Sequence, residues 1–131
     1  MTRREAREHL FRMLFRKDFY NEDDLNEQVE LYFSLMREPE ENEVEELTNR
    51  FHLISDKLDE IDSMIEGAAS GWKLNRLGKV ELTLLRIATY EIRFDDTIPT
   101  PVAINEAVEI AKKFGEDNSP GFINGILAKI V

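Results

Sequence analysis

The chain has 131 residues, with 17 Lys and Arg against 27 Asp and Glu, a formal net charge of −10, two histidines and no cysteine. That length suits one hydrophobic core without covalent staples, and the lack of cysteine excludes disulfides, thiolate zinc sites and cysteine nucleophiles. His9 and His52 are too far apart for a helical metal-binding pair, no apolar run could span a bilayer, and no apolar stretch follows the charged N-terminus, so neither membrane anchor nor secretory signal is expected and the chain reads as cytoplasmic.

Every segment patterns as helix, with Gly and Pro placed between segments and no sustained period-2 alternation. Thr2 is positioned to cap a first helix, with Glu5 as its capping-box partner, and that helix is expected to run to about Tyr20. Ala6, Leu10, Met13 and Leu14 form its core stripe. A second helix, about 24–37, carries Leu25, Val29, Tyr32, Phe33 and Met36 and is ended by Pro39. A third carries Val44, Leu47, Phe51 and Ile54. Ser55 then offers a cap for a fourth, with Leu58, Ile61, Met64 and Ile65. Gly67 and Gly71 break the chain near Trp72, which reads as a packing anchor.

The fifth helix, about 77–94, has the widest apolar face (Leu77, Val80, Leu84, Leu85, Ile87, Ala88, Ile92) and is expected to be central. On it, Arg86 and Glu91 could form an ion pair or cap a neighbour. Thr100-Pro101 reads as a cap followed by a first-turn proline, opening a sixth helix that ends at Gly115. Ser119-Pro120 repeats the device for a seventh. Asn105 and Asn124, set in apolar helices, read as buried amides with hydrogen-bond partners. The fold class is therefore all-α, about seven helices joined by short connections in a packed bundle.

No Ser-nucleophile elbow, P-loop, dinucleotide fingerprint or EF-hand loop occurs, so no enzyme activity, metal or cofactor is expected. Charge is segregated instead. Residues 1–17 carry six basic and two acidic side chains, residues 18–66 three and seventeen, and residues 67–131 eight of each. A basic end can bind nucleic acid on an acidic protein, because charges more than about 8 Å away are largely screened at physiological salt. Arg3, Arg4 and Arg7 fall within about 100° of rotation on the first helix, and Arg12 and Arg16 form an i, i+4 pair. Phe11, Phe15 and Phe19 follow at i, i+4, i+8. Guanidinium groups grip phosphate bidentately and exposed aromatics stack on unpaired bases, so this helix reads as a single-stranded RNA site. The competing reading makes the basic side chains a solvated face and the phenylalanines a second core stripe. That reading is favoured for Phe11 and left open for Phe15 and Phe19.

Three blocks resemble the NusB family of bacterial transcription antitermination factors. They are Arg3-Arg4-Glu5-Ala6-Arg7-Glu8 leading to Leu14-Phe15, then Gly71-Trp72-Lys73-Leu74-Asn75-Arg76-Leu77 continuing to Leu84–Glu91, and finally Val102–Gly115 closing with Phe122–Leu127. The last is the most specific, while residues 18–66 match by helix pattern only. The resemblance implies two small helical bundles, an N-terminal one of about 1–70 and a C-terminal one of about 71–131, with no catalytic activity. It implies binding to boxA-type RNA of nascent ribosomal transcripts, a complex with NusE (a small-subunit ribosomal protein), and entry into an RNA polymerase complex with other Nus factors. Arg3, Arg4, Arg7, Phe15 and Arg16 then form the RNA-binding end, Lys112, Lys113 and Phe122 continue the RNA path, and Phe15 and Glu81 face the protein partner. Phe15 stands where the family usually has tyrosine and Gly121 where many relatives have lysine, so a hydroxyl and a phosphate ligand are absent from the inherited set. The alternative function is a protein-only module, a homodimer burying the basic helix against the acidic segment of a second copy. The RNA-recruiting domain of a larger methyltransferase is not expected in a chain ending at Val131.

Overall fold

The protein is described from a computed structural model, covering residues 1–36 and 40–131. The first helix, α1 (Arg3–Phe15), begins with a complete capping box. The Thr2 hydroxyl accepts from the Glu5 amide at 3.0 Å, and the Glu5 carboxylate accepts from the Thr2 amide at 3.3 Å. Those contacts, with the backbone one leading, hold the Glu5 carboxyl below its ordinary value. The α-helix stops at Phe15 rather than near Tyr20, because the chain tightens there into a 3-10 turn over Arg16–Asp18. Asn21 caps α2 (Glu22–Leu35), accepting from the Asp24 amide at 2.9 Å, and Glu22, Asp23 and Asp24 sit at the positive end of its dipole. Pro39, expected to end this helix, lies outside the described residues.

Then come α3 (Glu41–Asp56), α4 (Leu58–Ala68), a 3-10 turn over Leu74–Arg76, α5 (Lys79–Phe94), α6 (Thr100–Phe114) and α7 (Ser119–Ile130). Among the described residues there are seven α-helices and no strand, as the periodicity predicts. Several helix starts differ from expectation in detail. Lys57, not Ser55, precedes α4. Pro99 and Asn118 hold the N-cap positions of α6 and α7, so Thr100 and Ser119 are already helical.

The chain divides into two units, Met1–Ser55 and Asp56–Val131. The division falls before α4 rather than near residue 70, because α4 packs on α5 and α7. In the first unit Leu10, Phe11, Met13 and Leu14 of α1, Leu25 and Val29 of α2, and Leu47, Phe51 and Ile54 of α3 are buried. The Met1 ammonium reaches Glu43 of α3 at 2.9 Å.

In the second unit α5 is central, as expected. All residues from Leu82 to Glu91 are buried, and α4, α6 and α7 pack around it. Arg86 is matched by Asp62 of α4 through two bonds of 2.8 and 2.9 Å. Asn105 and Asn124 are exposed, on the solvent sides of α6 and α7, and are not buried amides. Trp72 is 51% exposed and is not a core anchor. Ser70 and Gly71, with φ of 52° and 92°, turn the backbone sharply just before it, a conformation glycine adopts freely.

Arg86 is the cation that the interior of this unit must neutralise. Asp62→Ala leaves it buried without its bidentate partner and should cost about 3 kcal/mol in urea denaturation, the low end of the range for a broken buried pair. Replacing both partners together, as Arg86→Met with Asp62→Leu, should recover most of that loss.

Candidate nucleic-acid interface

The capping box fixes where α1 starts and so fixes its arginine face. Arg3, Arg4 and Arg7 lie within its first two turns, Arg3 and Arg4 exposed and Arg7 half-buried. Core residues Leu10, Met13 and Leu14 take up another face, which leaves the arginines toward solvent. The three phenylalanines form a graded ladder. Phe11 is buried, Phe15 half-buried and Phe19 56% exposed, with ring centroids 5.8 Å apart for the first pair and 5.2 Å for the second. Phe11 is therefore core, and the open end of the ladder can accept a further stacked ring.

Arg16 is more constrained than the sequence suggested. Its Nη1 donates to the Arg12 carbonyl at 2.5 Å, and its guanidinium lies 5.0 Å from the centre of the Tyr32 ring. The Tyr32 hydroxyl meets His9 Nδ1 at 2.5 Å. Burial, and then the nearby Arg12 guanidinium, push the His9 pKa below its ordinary 6.5, against the opposing pull of Glu5, Glu8 and Glu43. Sequence reading took Tyr32 as a packing residue on α2. Its hydroxyl was the only hint of this polar cluster.

In the second unit, Lys112 and Lys113 are exposed at the C-terminal end of α6, and Phe122 is half-buried in the first turn of α7. Lys112 pairs with Glu109 at 2.9 Å, and Lys113 lies 5.4 Å from the Phe114 ring centre. Glu81, in the first turn of α5, accepts a 2.5 Å hydrogen bond from the buried Ser119 hydroxyl, which in turn accepts from the Glu116 amide at 2.9 Å. The start of α5 is thereby latched to the α6–α7 corner. Gly115 permits the tight corner by close approach, not by a left-handed backbone: its φ is −98°, and a Cβ there would lie 2.7–2.9 Å from Ser119 and the Ala111 carbonyl. The serine that sequence reading took for a helix cap is the partner of Glu81. Nothing in the local pattern signals a contact between residues so far apart in the chain.

The nine expected site residues thus fall in two sets, Arg3, Arg4, Arg7, Phe15 and Arg16 in the first unit, and Glu81, Lys112, Lys113 and Phe122 in the second. No group of three potential metal ligands gathers among the described residues, and no described helix is long and apolar enough to cross a membrane.

Two measurements check this geometry. Gly115→Ala overfills the corner and should cost about 1–3 kcal/mol of stability, whereas Gly121→Ala, with open space around it, should not. Because folding depresses the His9 pKa, the unfolded chain binds more protons just below pH 6.5. Stability should therefore rise with pH through that window and fall on acidification. His9→Gln should remove that part of the slope in urea denaturations run at a series of pH values.

Known proteins share both the sequence and the fold. The model of the NusB family matches residues 4–131. A Lachnoclostridium phytofermentans protein named transcription antitermination protein NusB is 57% identical over 131 residues, covering 100% of this chain and 99% of that protein. Its namesake from Agathobacter rectalis is 46% identical over 98% of both chains. Among solved structures, T. maritima NusB superposes with a TM-score of 0.86 at 37% identity, covering 99% of this chain and 90% of that one. A chain from the crystal structure of antitermination factors NusB and NusE in complex with double-stranded RNA superposes with a TM-score of 0.79 at 26% identity, covering 98% and 94%. Matched in sequence from its first arginines to its last residue, and in fold over nearly all of its length, the chain belongs to the NusB family.

Proposed function

We propose that the protein is a transcription antitermination factor that binds boxA-type single-stranded RNA of nascent ribosomal transcripts together with a NusE-type ribosomal protein, and so joins an RNA polymerase antitermination complex. Family membership over residues 4–131 carries this reading. A neighbour in fold that was crystallised with NusE and RNA supports both partners.

The chemistry assigned to the residues follows from their placement. Arg3, Arg4 and Arg7 supply phosphate ligands on a helix face held by its cap. Phe15, at the half-buried step of the ladder, offers a ring edge to RNA and partner alike. Lys112, Lys113 and Phe122 extend the RNA contact in the second unit. Glu81 serves the partner surface through the corner it latches, since its carboxylate is already engaged by Ser119. No side chain is assigned a catalytic role, and the protein acts by binding. Each contact alone is weak, and RNA and protein partner raise each other's affinity by linkage.

Fluorescence anisotropy of labelled boxA-type RNA, with and without the ribosomal protein and across a salt series, tests the reading. Three to five phosphates held by α1 should contribute about 2 to 3.5 to the magnitude of the log–log salt slope. Arg4→Ala with Arg7→Ala should lower that magnitude by about 1.4 and leave the helical signal intact. No RNA binding by the folded protein in either condition would overturn the proposal and leave α1 as a solvated face.

A further inference from the structure

Cations in the second unit are engaged almost everywhere. Lys57 pairs with Glu60, Arg86 with Asp62 and Lys112 with Glu109. Arg93 donates to the Ile130 carbonyl, Lys129 to the Ser70 hydroxyl, and Lys113 lies over the Phe114 ring. Lys73, Arg76 and Lys79 depart from this pattern. All three are exposed, and their side chains meet no carboxylate, hydroxyl, carbonyl or ring among the described residues. They lie in a stretch, residues 67–80, that contains no acidic residue in a chain that has 27. The same stretch holds the chain's one tryptophan, Trp72, 51% exposed.

The stretch is held in place. The Lys129 ammonium bonds Ser70 at 2.6 Å near the C-terminal end of α7, and Glu81 bonds Ser119 at its N-terminal end. Those anchors are ten residues apart on α7, about 15 Å at the helical rise. Between them Leu77 turns inward and is 5% exposed, while Trp72, Lys73, Asn75, Arg76 and Lys79 face solvent. Lys73, Arg76 and Lys79 give this stretch a local excess of positive charge, with the Glu81 carboxylate beside Gly78 at its edge; such an excess favours an anionic ligand, and an exposed indole is a platform for a base. A lipid surface would call for a cluster of exposed apolar side chains, and here the tryptophan is alone.

We propose that Trp72, Lys73, Arg76 and Lys79 form a second contact for single-stranded RNA, with a base stacked on the indole and its flanking phosphates held by the three cations. The proposal rests on the RNA-binding reading above and adds a site beyond α1 and the α6–α7 corner.

Because Trp72 is the only tryptophan, its emission reports on this site alone. Titrating unlabelled boxA-type RNA into the full-length protein should quench that emission in step with the anisotropy of the labelled RNA. Trp72→Ala should weaken binding about 5- to 150-fold, the range for loss of one stacked base, and Trp72→Phe should restore most of it. Lys73→Ala, Arg76→Ala and Lys79→Ala together should lower the magnitude of the salt slope by about 2, with the circular dichroism unchanged. RNA binding that leaves Trp72 emission and these variants unaffected overturns the proposal while the α1 reading stands. Emission that responds only to the ribosomal protein, in the absence of RNA, also overturns it and makes the patch a protein contact. If the unaltered protein binds no RNA in either condition, the broader reading fails, and this proposal with it.

Discussion

Burial of α5 on every side is the constraint that organises the larger unit. From Leu82 to Glu91 the helix has no solvent face, so a polar group along it is costly unless it is satisfied inside the protein, and the Thr89 hydroxyl stays buried without a partner among the described residues. Thr83 donates to the Lys79 carbonyl at 2.7 Å, and Arg86 is met by Asp62 from α4. The surrounding helices must in turn present apolar stripes. On α6 the stripe includes Ala103, Ala107 and Ala111, all buried at i, i+4, i+8. Side chains that small let helix axes approach closely. The close packing brings the start of α7 up to the start of α5, where Ser119 reaches Glu81. A residue that family resemblance assigns to a partner surface is thus first a member of the fold.

Electrostatics organises the smaller unit. Acidic residues accumulate where a helix start stabilises them, as at Glu22, Asp23 and Asp24 of α2, or where a cation answers them, as the Met1 ammonium answers Glu43. This leaves the first turns of α1 basic on a protein of net charge −10. Net charge is therefore a poor guide to the ligand, because screening makes the local field decisive.

Helix number, the central place of α5, the Thr2–Glu5 box and the core stripes were legible in the sequence because each depends on residues within one or two helical turns. Legibility failed where the outcome depends on which side of an apolar helix a residue occupies. Asn105 and Asn124 sit among apolar neighbours in sequence, yet lie on the outer faces of their helices. Trp72 was read as a packing anchor, but it follows the sharp turn at Ser70 and Gly71 and is half exposed. The division into units at Ser55–Asp56 follows helix packing, which a local pattern does not encode and which places α4 with α5 and α7. The arginines of α1 could be read directly, whereas the His9–Tyr32–Arg16 cluster and the Glu81–Ser119 latch join residues far apart in the chain and left no periodic trace.

What each cation must give up to hold a phosphate separates the candidate contacts. The pair between Lys112 and Glu109 is exposed, and such pairs contribute about 0–1 kcal/mol, so exchanging the carboxylate for a phosphate costs little. Arg16 has its planar face toward Tyr32 and one nitrogen on the Arg12 carbonyl. Its remaining N–H edge is still directed by that stacking, so it would bind phosphate in a fixed orientation with less rotamer entropy left to lose. Lys73, Arg76 and Lys79 have no partner among the described residues to surrender. Contacts of these three kinds would each be modest alone, and any that met the same strand would raise one another's effective concentration, so an RNA-binding role does not require a single deep site.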